Sequence, residues 1–79
     1  MKPEEAFGAV LKKTRSERGF SQEQLALSSN LDRTFISMLE RGHRQPSLTS
    51  ILSISSSLNI PAEHLIKLTT DLMDENNKS

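Results

Sequence analysis

The chain has 79 residues, ten Lys/Arg balanced by ten Asp/Glu, and no cysteine. That length holds one small domain, and the missing cysteines exclude disulfide staples and thiolate metal sites. Zero net charge gives no overall sign of a polyanionic partner, although residues 1–46 carry eight basic against six acidic side chains and the remainder two against four.

The first predicted helix runs from about Pro3 to Arg18, with Phe7, Val10, Leu11 and Thr14 at helical spacing. Gly19 suits a left-handed ending. A second helix starts at Ser21, where Ser21 and Gln24 have the S-x-x-Q form of a capping box; Leu25 and Ala26 are its apolar side. The third opens at Asp32 as N-cap, carries Phe35, Ile36 and Leu39, and closes at Gly42. Pro46 and Ser47 mark a boundary and a new cap. The fourth segment, Leu48 to Leu58, places Leu48, Ile51, Leu52 and Leu58 at helical spacing. Its six serines from Ser47 onward are poor helix formers, and Leu52-Ser53-Ile54 also alternates like a strand. Pro61 suits the first turn of a fifth helix, whose apolar set is Leu65, Ile66, Leu68 and Leu72. From Met73 onward the polar MDENNKS reads as a frayed tail. The expectation is an all-α, compact five-helix bundle over residues 1–72, with a tail at 73–79.

Segments two and three are joined only by Ser28 to Leu31, so they must cross steeply, as in a helix-turn-helix. Ala26 supplies the small residue that close approach needs. Asn30, four positions on, is one of the few non-glycine residues that tolerate positive φ. Leu31 can tuck into the core, and Ile36 faces back toward Ala26. If Ile36 and Leu39 point inward, the helical period turns Arg33, Thr34, Ser37, Met38 and Arg41 outward. Such a face can donate and accept hydrogen bonds in the DNA major groove, where arginine binds guanine O6 and N7 in a bidentate manner. A merely solvated charged face is the bland alternative.

The stretch SQEQLALSSNLDRTFISMLERGHRQPSLTSILSISSSLNIP resembles the Xre or phage-repressor type of helix-turn-helix family, a five-helix, lambda-repressor-like DNA-binding domain. The resemblance spans roughly residues 6 to 68 and rests on the SQEQLA opening, the ISMLERG core and the P-S-L start of the fourth helix. Asn30 departs from the glycine usual at the turn, and the fourth helix is unusually rich in serine. Within the family, SNLDRTFIS followed by ERGHRQPS is most similar to controller proteins of restriction–modification systems, small homodimeric regulators of palindromic operators. The resemblance implies base contacts from Arg33, Thr34, Ser37 and Arg44. It implies backbone contacts from Gln22, with Phe35 standing where tyrosine is frequent; Met38, Arg41 and His43 complete the expected backbone set. Arg15 and Glu40 match a pair that forms a structural salt bridge in this family. Leu65, Ile66 and Leu68 are the expected dimer interface.

Catalysis finds no footing in this sequence. His43 and His64 lie 21 positions apart with no metal-ligand set near either, and neither a nucleophile elbow nor a phosphate-cradling glycine loop occurs. No cofactor, metal or small-molecule ligand is expected. No apolar run nears the ~18 residues that span a bilayer, and the MKPEEAFGAVLKKTR start lacks a signal-peptide core. The expected setting is the cytoplasm and the expected partners are an operator duplex, a second copy and RNA polymerase. The alternatives are another Xre-type regulator, such as a phage repressor or antitoxin, or a helical protein–protein module that binds no DNA.

Overall fold

A computed structural model describes residues 1–77 and builds them into five helices: α1 (Pro3–Glu17), α2 (Gln22–Ser29), α3 (Arg33–Glu40), α4 (Leu48–Leu58) and α5 (Ala62–Asn76). No strand occurs among the described residues. Leu11, Leu25, Ile36, Leu39, Ile54, Leu58 and Leu65 are fully buried in one cluster to which every helix contributes. α1 packs against α5 on one side and α3 on the other, while α2 bridges α3 and α4.

The helix ends follow from local chemistry. Ser21 Oγ accepts from the Gln24 N–H at 3.0 Å, and Gln24 Oε1 accepts from the Ser21 N–H at 2.8 Å, which closes the capping box of α2. Ser47 Oγ caps α4 through the Ser50 N–H. Asn30 ends α2 at φ 57° and Asn59 ends α4 at φ 55°, both left-handed. Each asparagine is followed by an aliphatic residue, Leu31 or Ile60, whose N–H returns to a carbonyl of the last turn. Asp32 has the extended conformation of an N-cap, but its carboxylate makes no cap hydrogen bond.

Two elements depart from the expectations set by the sequence. α4 does not bury Leu48 and Leu52, which are 72% and 52% exposed; its inward side is Ser50, Ile54, Ser55 and Leu58, with Ile51 half-buried. The serines can face inward because their hydroxyls are satisfied close by: Ser55 Oγ donates to Leu52 O at 3.0 Å, and Ser50 Oγ pairs with Ser47 Oγ at 2.7 Å. Their small size lets neighbouring helices approach, and the larger leucines are turned outward. α5 also runs past the expected boundary at residue 72. α5 continues through Asn76, with Leu72 packed on the core and a Lys67–Asp71 ion pair one turn apart along it. Residues 78–79 of the expected tail lie outside the described residues. No helix among the described residues is long and apolar enough to cross a membrane.

At Gly8 the backbones of α1 and α3 approach closely. A methyl group there would collide with the Leu39 carbonyl oxygen and sit 2.9 Å from that of Glu40, both backbone atoms that cannot rotate away. Gly8→Ala is therefore expected to destabilise the domain by about 1–3 kcal/mol despite the better helix propensity of alanine. For a domain of this size that corresponds to a loss of very roughly 4–20 °C in Tm, read by circular dichroism. An unchanged Tm would show that α3 does not rest on α1 at this point.

Candidate nucleic-acid interface

The back of α3 is held by charge as well as by apolar packing. Arg15 on α1 donates through Nε to Glu40 Oε2 at 2.5 Å and through Nη2 to Oε1 at 3.0 Å, a forked pair. Its Nη1 donates to the Phe20 carbonyl at 2.7 Å, in the turn before α2. Gln22, the first residue of α2, adds an Nε2 donation to Glu40 Oε1 at 3.0 Å. Only 2% of the Glu40 side chain is exposed, so its carboxylate is a buried charge satisfied by three donors from two other helices. The hydrogen bonds to Glu40, and then its charge, hold the Arg15 guanidinium above its ordinary range against partial desolvation. Because the folded value is raised, this contribution is present below the ordinary arginine range and is lost only in extreme alkali.

The front of α3 is polar and open. Ile36 and Leu39 are buried, Arg33, Thr34 and Arg41 are exposed, and Ser37 and Met38 are half-buried. Gln22, Arg33, Thr34 and Ser37 line one shallow depression. Asn30, Leu31, Asp32, Thr34, Phe35, Met38 and Arg44 line a second. Thr34 belongs to both, so the two depressions meet along the N-terminal half of α3. Arg44 reaches this surface because Gly42 turns the chain at φ 74°, with the His43 N–H bonded back to Met38 O at 2.9 Å. Arg41 and His43 are exposed but line neither depression; Arg41 Nε instead leans on Ser37 O at 3.4 Å. The surface thus joins two arginines, two hydroxyls, two amides, a carboxylate and an apolar floor around a helix about as wide as a major groove accepts.

The helix-turn-helix family profile matches residues 11–65. The chain belongs to the helix-turn-helix family. It is 42% identical over 65 residues to control protein C.BamHI of Bacillus amyloliquefaciens, covering 81% of this chain and 80% of that one. Control protein C.MunI of a Mycoplasma species is 43% identical over 60 residues, covering 75% of this chain and 81% of the relative. Among solved structures, the restriction–modification controller protein C.AhdI of Aeromonas hydrophila is similar at TM-score 0.77 and 40% identity, covering 78% of this chain and 94% of that chain.

The structure adds intramolecular contacts at three residues expected at interfaces. Leu65 is 0% exposed and belongs to the monomer core, so it cannot also be interface surface. Leu68 is half-buried against the same core, leaving Ile66, at 42% exposure, as the open member of the expected trio. Gln22, expected at the phosphate backbone, spends one amide N–H on Glu40; its oxygen and second N–H remain for an outside partner. Nothing in the spacing of residues 22 and 40 announces that bond. Gly8 is equally silent in the sequence, because a glycine inside a helical pattern signals close approach only once the neighbour is known. No group of three or more potential metal ligands occurs among the described residues.

Removing Arg15 would leave Glu40 buried with only an amide donor. Arg15→Ala is expected to cost about 3–5 kcal/mol in urea unfolding, because an uncompensated buried charge remains. Replacing both residues, Arg15→Met with Glu40→Met, is expected to recover much of that loss. A double variant as unstable as the single one would show that the ion pair is not the source of the effect.

Proposed function

We propose that the protein is a sequence-specific DNA-binding transcriptional regulator that binds palindromic operators as a homodimer. Within that class it acts as the controller protein of a restriction–modification system, regulating its own gene by activation and repression. The observation that carries this reading is the continuous surface that Gln22 of α2, Arg33, Thr34 and Ser37 of α3 and Arg44 of the following loop form around a helix whose back is locked. Similarity to control proteins over three quarters or more of the chain supports the finer assignment.

In this reading α3 lies in the major groove. Arg33 and Arg44 contact guanine edges, Thr34 and Ser37 contact bases, and Gln22 takes a phosphate oxygen beside the N-terminus of α2, where free N–H groups and the helix dipole favour an anion. Arg41 and His43 flank the groove toward the backbone. One recognition helix reads only a few base pairs, so two copies place their helices about one DNA turn, ~34 Å, apart. The exposed aliphatic side chains of α4 and α5, Leu48, Leu52 and Ile66, supply the surface that the two copies bury. Operator occupancy then excludes RNA polymerase or offers it a contact, with protein concentration as the input and the cytoplasm as the setting. No catalytic step, cofactor or small-molecule ligand belongs to this reading.

Two measurements test it. In gel-shift titrations with a duplex selected from a random pool, Arg33→Ala is expected to weaken binding by ~1–3 kcal/mol and to relax preference at one base position. Equal affinity of wild type and variant would defeat the assignment of α3 and favour the protein–protein alternative. In sedimentation at about tens of micromolar, wild type is expected as a dimer and Leu52→Lys/Ile66→Lys as a folded monomer, since a lysine pair disfavours burial of the patch. Wild type sedimenting as a monomer with and without operator would remove the two-fold arrangement.

A further inference from the structure

The depression beside Arg44 has a composition that phosphate binding does not explain. Its floor is apolar: Leu31 and Phe35 are half-buried and backed by the core, and Met38 is half-buried beside them. Phe35 has no hydroxyl to offer a phosphate oxygen. At one edge stands Asp32, exposed; its backbone carbonyl accepts from the Ile36 N–H, but its carboxylate makes no cap hydrogen bond. A free carboxylate repels the phosphate backbone but accepts from the exocyclic amino groups of cytosine or adenine. At the other edge stands the exposed guanidinium of Arg44, suited to guanine. An apolar floor between a guanine-binding cation and an amine-accepting carboxylate fits the edge of a base, not the backbone.

We infer that this depression is a binding site for the 5-methyl group of a pyrimidine in the major groove, with Phe35 and Met38 as the residues that contact it. The site rests on the DNA-binding reading and sharpens it: Phe35 and Met38 move from backbone contacts to base readout. The major groove is where thymine displays its methyl group, and apolar side chains read it there. Leu31 and Phe35 are already packed on the core and need little ordering when the methyl group arrives, so their part of the contact loses little to side-chain entropy. The same chemistry is offered by thymine and by 5-methylcytosine. A site of this kind would therefore make affinity depend on cytosine methylation wherever a cytosine occupies that position.

The test uses the full chain and a duplex selected from a random pool, with each thymine replaced in turn by deoxyuridine, which removes only the methyl group. Wild type is expected to lose about fourfold in affinity at one position per half-site, the worth of one buried methyl group. At that position 5-methylcytosine is expected to bind more tightly than cytosine by a similar factor. Met38→Ala and Phe35→Ala, each checked for an intact fold by circular dichroism, are expected to bring the thymine-to-uracil ratio toward one. Should Phe35→Ala fail to fold, Met38→Ala and the wild-type scan decide the matter. Selective binding by wild type with a ratio near one at every position would overturn the methyl site while leaving the regulator reading intact. A ratio unchanged in folded Met38→Ala and Phe35→Ala would likewise overturn it. Absence of any sequence-selective binding would sink both.

Discussion

The buried carboxylate of Glu40 fixes how the first three helices meet. It sits at the C-terminal end of α3, accepts a forked pair from Arg15 on α1 and accepts an amide N–H from Gln22 on α2. A carboxylate taken out of water tolerates only arrangements in which its oxygens are satisfied, so it penalises every other orientation of α3 more steeply than apolar contacts do. Such contacts slide at small cost, whereas a forked guanidinium pair does not. For a helix of eight residues, too short to hold itself by propensity, this constraint and the burial of Ile36 and Leu39 define its position.

From that constraint the front of the molecule follows. The same Gln22 that reaches Glu40 lines the depression with Arg33, Thr34 and Ser37, so the locked back and the open front of α3 share a residue. Gly8 lets the backbone of α3 rest on α1, and Gly42 returns the chain so that Arg44 joins the face formed by α3. The backbone that carries these groups is held in place before a partner arrives, by Glu40 and by the burial of Ile36 and Leu39. The exposed leucines of α4 and Ile66 of α5 remain as apolar surface that a domain this small gains by covering.

Much of this is legible in the sequence wherever the signal is local. The capping box at Ser21 and Gln24, the left-handed Asn30 and the inward pair Ile36 and Leu39 are dictated by residues within one or two helical turns. They suffice to orient α3 and to place Arg33 and Thr34 outside. What stays hidden depends on neighbours distant in the chain. Leu48 and Leu52 share the helical spacing of Ile51 and Leu58; only the packing of α2 and α5 shows that serines take the inward side. Leu65 and Ile66 are adjacent and equally apolar, and only the docking of α5 sends one into the core and the other to the surface. The depression joining Phe35 and Met38 to Arg44 depends on the turn at Gly42, seven residues beyond Phe35, bringing the chain back to meet it, which no periodicity encodes.

Function then turns on whether the locked helix α3 presents its outer face to a DNA groove. Amide chemical-shift mapping during titration with a selected operator duplex tests this most directly. The largest shifts are predicted at Gln22 and through residues 33–44, with the groove that Val10 of α1 lines together with His64 and Leu68 of α5 left almost silent. Shifts gathered in that groove, with α3 undisturbed, would contradict it.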